Sequence, residues 1–189
     1  MKVMNKKEIF AANMENYIKT EKEVFLLGKD CPFITNLYFA FQNGKNVFLL
    51  LEFSEYGDLG NILKRDKRFT EELARQYICQ IVVAIEYLHS KNVLYRDLKP
   101  DNILIGQNGN VKLTDFGLSK MNVDNHYNSN SFCGTHAYLP PEMFLQTGYG
   151  KTVDWYCVGA VFYEFLVGVP PFYSEDLEQL HFNIQQGPI

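Results

Sequence analysis

Apolar residues recur with helical spacing over residues 13–27, where Tyr17, Ile18, Val24 and Phe25 fall on one stripe at about 100° per residue. Glu21 sits in the middle of that stripe, and a carboxylate on an apolar face needs a partner. Two extended runs follow, NLYFAFQ (36–42) and VFLLLEF (47–53), separated by NGKN, a hairpin signal. EYGDLG (55–60) reads as a connector with a turn at its glycine. Thr70 then caps a long helix. Glu71 and Glu72 lie in its first turn, and Leu73, Tyr77, Ile78, Ile81, Ile85 and Leu88 form its apolar stripe. Three short strands are expected at VLY (93–95), ILI (103–105) and VKL (111–113), the last two joined by GQNGN. A polar loop (121–130), Pro140-Pro141 and an apolar helix over 153–167 complete the pattern. The order predicts an α+β chain, a small strand-and-helix part followed by a mostly helical part.

Composition narrows the function classes. With 189 residues, 47% apolar, 21% charged and 15% aromatic, the chain suits one globular domain. A net charge of −4 argues against a nucleic-acid partner, because phosphate backbones recruit a basic face. The four cysteines are dispersed with no CxxC pair, which suits free thiols in a reducing compartment. The basic N-terminus runs straight into polar residues with no apolar core, so it does not read as a signal peptide. Residues 155–173 carry one charge, Glu164, but Gly168 and Pro170-Pro171 interrupt them. No membrane span is expected.

The chemistry is concentrated in YRDLKPDN (95–102) and in Asp115-Phe116-Gly117, both at strand ends. Asp97, Lys99, Asn102 and Asp115 are thereby placed on neighbouring strand ends. Phosphoryl transfer from a nucleotide needs such a set: a carboxylate to orient the hydroxyl, a lysine on the transferred phosphate, and two hard oxygen donors for Mg²⁺.

With these motifs, CGT (133–135) and YLPPE (138–142), the sequence resembles the eukaryotic protein kinases over nearly its whole length. Tyr95 replaces the commoner His and Pro140 the usual Ala. Together with LSK and FCGT, Tyr95 points to the AGC group, and Lys99 to serine/threonine specificity. The resemblance implies a two-lobe fold: residues 1–51 the remainder of a small lobe (a sheet plus one helix), 52–57 a hinge, and 58–189 a mostly helical large lobe. It makes Asp97 the catalytic base, Lys99 a γ-phosphate contact, and Asn102 and Asp115 the Mg²⁺ ligands. Lys2 would bind the α- and β-phosphates and pair with Glu21. Leu51 would be the gatekeeper, Glu52 and Ser54 backbone hinge contacts, Asp58 a ribose contact, and Leu104 the floor under adenine. Asp154 would pin the catalytic loop from below. Arg96, Lys120, Thr135 and Glu142 would support the activation segment, with Ser131 its phosphosite. Tyr17 stands where the family places a basic contact to that phosphate. Asp58, Asp101 and Glu164 would receive substrate arginines, so protein substrates with basic residues near the target Ser/Thr are the expected partners, with an upstream activating kinase.

The same resemblance sets further expectations. The sequence holds no Gly-rich loop before Lys2 and ends soon after PPF, so it reads as truncated at both ends, with an open nucleotide roof. Activity of these residues alone is expected to be poor, and apolar surface near Phe162, Phe165 and Leu166 to lie uncovered. The expected function is ATP- and Mg²⁺-dependent phosphorylation of protein Ser/Thr, in the cytoplasm and also the nucleus. The alternatives are a kinase-derived fragment or pseudokinase serving as a binding module, and a small-molecule phosphotransferase. Retention of Lys2, Asp97 and Asp115 argues against a decayed pseudokinase.

Overall fold

The computed structural model describes residues 1–123, 129, 131–145 and 148–187. Strands β1 (Lys2–Asn5), β2 (Leu37–Gln42) and β3 (Asn46–Leu51) form one antiparallel sheet in the order β1-β3-β2. The expected hairpin is present. Asn43 Oδ1 accepts from the backbone N–H groups of Lys45 and Asn46, both at 2.8 Å, which closes the turn between β2 and β3.

Two helices, rather than the one expected, lie against the sheet: α1 (Lys6–Ala11) and α2 (Glu15–Leu27). Asn5 caps α1 by accepting from Lys7 N at 2.9 Å, a signal present in the sequence but too short to show periodicity. Asn13, with φ of 53°, separates the two, so the second helix begins at Glu15 rather than at residue 13.

The connector also differs from expectation. Asp58 caps α3 (Leu59–Asp66), accepting from Asn61 N at 2.8 Å, so the connector ends at Asp58 and the helix begins at once. Thr70 caps α4 (Glu71–Ser90) as expected. Strands β4 (Ile103–Ile105) and β5 (Val111–Leu113) pair as a short antiparallel hairpin. VLY is not a strand. Leu94 makes only an isolated bridge to Lys120, because no neighbouring residue extends the ladder. Beyond these lie α5 (Pro141–Phe144), α6 (Thr152–Val167) and α7 (Leu177–Gln186).

One core runs through both parts. Val24 and Phe25 of α2, Leu49 of β3, Ile81, Ile85 and Leu88 of α4, and Val161 and Phe165 of α6 belong to the same buried cluster. Of the surface expected to be uncovered near Phe162, Phe165 and Leu166, Val167 and Val169 are exposed, but the three named residues are not. Phe165 is fully buried against Phe69, with ring centroids 5.2 Å apart, and Phe162 and Leu166 are half-buried on the same core. α6 ends at Gly168, whose φ of 97° only glycine adopts easily and where a side chain would collide with Lys67 O. Among the described residues, no helix is long and apolar enough to cross a membrane.

Candidate active site

The loop between α4 and β4 is held by a buried acid. Asp154, in the first turn of α6, is 0% exposed. Its Oδ2 accepts from Tyr95 N at 2.9 Å and faces His89 Nε2 at 2.7 Å, while Oδ1 accepts from Arg96 N at 2.8 Å. A buried carboxylate requires such full satisfaction. The sequence pointed to Asp154; it did not single out His89, the last apolar-face position of α4 with a polar side chain. Arg96 and Asp115 both have positive φ, 69° and 55°. These are uncommon values for residues other than glycine, and the surrounding hydrogen bonds hold them.

Tyr95, the residue in place of His, is fully buried. Its hydroxyl donates to Thr114 O at 2.6 Å and its ring lies 5.3 Å from that of Phe116. Burial pushes its phenol well above the ordinary tyrosine range. Phe116 is itself fully buried, edge-on to Phe25 of α2 at 4.9 Å. Phe116 thus ties the segment carrying Asp115 to the helix carrying Glu21.

Asp97 is held on three sides. Thr135 Oγ1 donates to its Oδ1 at 2.9 Å, Asn102 Nδ2 donates to its Oδ2 at 2.9 Å, and Lys99 Nζ lies 3.2 Å from Oδ2. Lys99 also donates to Thr135 Oγ1 at 2.8 Å. Thr135 can sit this close because Gly134, with φ of 107°, brings the segment against Arg96 O, and a Cβ there would stand 2.7 Å from that oxygen.

Across the cleft, Lys2 Nζ pairs with Glu21 Oε1 at 2.7 Å and Asp115 Oδ1 at 3.2 Å. Glu21 is 2% exposed. The carboxylate that interrupted the apolar stripe therefore has a partner from another element. Burial lowers the Lys2 pKa, but Glu21 and then Asp115 outweigh it, so Lys2 stays charged beyond the ordinary range. Burial lifts the Glu21 carboxyl, and Lys2 opposes that lift. Lys2, Tyr17, Glu21, Asp97, Asp115 and Gly117 line one cavity of about 730 Å³.

The remaining sequence candidates lie elsewhere. Leu51, Glu52, Ser54, Asp58 and Leu104 are outside that cavity's walls. Glu52 N donates to Asn36 O at 2.8 Å, and its carboxylate pairs with Lys112 Nζ at 2.8 Å. For a backbone contact, only its carbonyl remains. Burial raises the Glu52 pKa, but Lys112 and Asn36 reverse this and hold it below the ordinary range. Ser54 Oγ is buried with no partner among the described residues. Asp58 bridges to Leu104 through the backbone, and its carboxylate is engaged by Asn61. Asp101 lies 3.6 Å from Lys64. Glu142 is half-buried at the start of α5.

Ser131 is exposed, and its Oγ accepts from Arg96 Nη1 at 2.7 Å. Lys120 is placed by its bridge to Leu94. His136 Nδ1 and His181 Nε2, 2.7 Å apart, tie the following segment to α7. Sequence reading passed over this pair because the two histidines are distant along the chain.

Glu164 Oε2 accepts from Tyr138 Oη at 2.6 Å. Burial raises the Glu164 pKa, partly opposed by Tyr138. The folded protein therefore keeps a proton that the unfolded chain has released, and this group's contribution to stability falls as pH rises from about 4.3 towards the raised value. Glu164→Gln is expected to flatten that part of the stability curve, measured by urea unfolding at stepped pH. An unchanged slope would remove Glu164 as its source.

The profile of the protein kinase domain matches residues 1–188. This chain belongs to the protein kinase family. Kinases of this family use ATP and Mg²⁺ in general. The chain is 42% identical over all 189 residues to the serine/threonine-protein kinase Sgk1 of Homo sapiens, covering 44% of that protein. The same figures hold for Sgk1 of Gallus gallus and for Sgk1-A of Xenopus laevis. Sgk1 is an AGC serine/threonine kinase, which agrees with the AGC motifs around Tyr95 and 132–135. The chain thus spans less than half the length of these curated relatives.

Proposed function

We propose that these residues form part of a kinase that transfers the γ-phosphoryl group of ATP to serine or threonine hydroxyls of proteins. The observation that carries this reading is the Asp97 carboxylate, fixed by Thr135, Asn102 and Lys99 on the same cavity as the Lys2–Glu21 pair and Asp115. Asp97 orients the acceptor hydroxyl and takes its proton at the carboxylate. Lys99 stands beside it to hold the transferred phosphoryl. Lys2, kept charged and aimed by Glu21, binds the α- and β-phosphates.

The donor set fits Mg²⁺. Asn102 uses its amide nitrogen on Asp97, both at the carboxylate and at the main-chain oxygen 2.8 Å away, which leaves its amide oxygen for a cation. Asp115 adds an exposed carboxylate. Few protein oxygens plus phosphates is the usual Mg²⁺ arrangement, and the ion neutralises phosphate charge during transfer.

Residues 1–51, 52–57 and 58–189 act as small lobe, hinge and large lobe. The nucleotide's base lies by Leu51, Leu104 and the backbone of Glu52 and Ser54, with Asp58 at the ribose. Asp58, Asp101 and Glu164 receive basic residues of the substrate, supported by the net charge of −4. Asp154 and Glu142 brace the loop and the segment around 131–142. Ser131 carries an activating phosphate, held by Arg96 and Lys120 and placed there by an upstream kinase. Mass spectrometry of active protein is expected to find Ser131 phosphorylated. All four cysteines are free thiols, which supports a reducing compartment, the cytoplasm and the nucleus.

The test is turnover of a serine/threonine peptide library with Mg·ATP. Phosphopeptide formation is expected, abolished by chelating Mg²⁺ and enriched for Arg or Lys upstream of the acceptor. Absence of any phosphopeptide from intact protein would remove the assignment. A library without basic preference would remove the roles of Asp58, Asp101 and Glu164.

A further inference from the structure

Arg96 Nη1 donates to three hydroxyl groups. Ser131 Oγ lies at 2.7 Å, Ser129 Oγ at 3.1 Å and Tyr149 Oη at 3.2 Å. Its Nε donates separately to Leu118 O at 2.7 Å, which fixes the guanidinium plane. Ser129 and Tyr149 are each 2% exposed, whereas Ser131 is at the surface. The Tyr149 ring packs in a satellite core with Leu94, Val123, Leu139 and Met143. Its backbone N–H donates to Ser129 O at 2.9 Å. Its hydroxyl donates to Ser131 O at 2.6 Å and lies 3.5 Å from Ser131 Oγ. Ser131 is therefore held twice, by Arg96 at its side chain and by Tyr149 at its main chain.

We propose that Tyr149 is a positioning residue for phosphorylated Ser131. Its phenolic proton moves from the Ser131 carbonyl to the phosphate, and so completes an anion site with Arg96 and the Ser129 hydroxyl. This rests on the reading of Ser131 as the phosphosite. In the modification the Ser131 Oγ–P bond forms as the γ-phosphoryl bond of ATP breaks; ADP leaves, and the hydroxyl proton passes to solvent. The product carries about 1.5 to 2 negative charges and only acceptor oxygens. A phenol within reach then makes a charge-assisted hydrogen bond, which is stronger than one to a carbonyl. Tyr149 is suited to this because its ring is immobilised by packing. The freed Ser131 carbonyl lets the segment settle around the phosphate, and four residues on Thr135 holds Asp97.

Tyr149→Phe keeps the ring and removes only the hydroxyl. The experiment takes intact wild-type and Y149F protein, each prepared with Ser131 phosphorylated and dephosphorylated, and compares kcat and KM for a basic peptide. The ratio of kcat between the two phosphorylation states is expected to fall about tenfold or more in Y149F, the range for losing a hydrogen bond to a charged group. A purely structural tyrosine would lower both states together and leave the ratio unchanged, which would overturn the proposal. If wild-type protein shows no ratio at all, the Ser131 reading falls and this proposal with it. A second measurement needs no variant. In ³¹P NMR of the wild-type phosphoprotein, the second phosphate pKa is expected below its usual value of about 6. A value at or above the usual one would count against the site even if Y149F fails to fold.

Discussion

Asp97→Asn is expected to reduce phosphotransfer by about 10² to 10⁴, the range for losing a positioned general base. Binding of Mg·ATP should change little. The Asn side chain keeps the shape of Asp97 and one acceptor oxygen for Asn102 Nδ2, while its NH2 group faces Thr135 Oγ1, which can turn to accept, so the loop keeps much of its geometry. What disappears is the negative charge that orients and deprotonates the acceptor hydroxyl. Lys99, 3.2 Å from Asp97 Oδ2, loses an ion-pair partner but keeps its bond to Thr135 Oγ1 at 2.8 Å. The effect should therefore fall on kcat rather than on nucleotide affinity, as for an interaction made in the transition state. Single-turnover kinetics and titration with a fluorescent nucleotide separate the two quantities. Retention of more than about a few per cent of wild-type kcat, a smaller loss than a positioned general base accounts for, would remove Asp97 from its assigned role.

Asp154→Ala is expected to cost about 3–5 kcal/mol of stability, the usual penalty for breaking a fully buried charged network by deleting one partner. Three donors point at this carboxylate: the backbone N–H groups of Tyr95 and Arg96 and the ring of His89. All three lie in the interior, where a donor left without an acceptor costs about 1–3 kcal/mol. Arg96 also needs its N–H anchored to hold a φ of 69°. Loss of the anchor should relax the loop and misplace Asp97, so turnover falls together with stability. Urea unfolding at neutral pH measures the first and peptide phosphorylation the second. A loss below about 1 kcal/mol, the range of an ordinary surface substitution, would show that the loop is held by other contacts.

Much of this arrangement was legible in the chain itself. The periodic stripes of α2 and α4 and the unbroken apolar run of α6 are local signals, since each extends over several turns. The hairpin at Asn43 was visible because turn chemistry depends on adjacent residues. Asp97, Lys99, Asn102 and Asp115 stood out because their chemistry is carried by short motifs at fixed spacing. Even the pairing demanded by Glu21 followed from one carboxylate on an apolar stripe, although the stripe alone did not name Lys2.

Other features depend on distance in space rather than along the chain. α1 has six residues and α3 eight, too few to display a period, and both were decided by caps and by packing. VLY has strand-like residues, yet only Leu94 finds a bridge, because strand formation needs a partner over several positions. His89 meets Asp154 across 65 positions, Thr135 meets Asp97 across 38, and Tyr149 meets Ser131 across 18. Sequence by itself determined which groups could do the chemistry, through local periodicity, turn residues and motif spacing. Only the tertiary structure decided which buried donors hold those groups, because a polar group far from water must take its partner from whatever chain folding brings beside it.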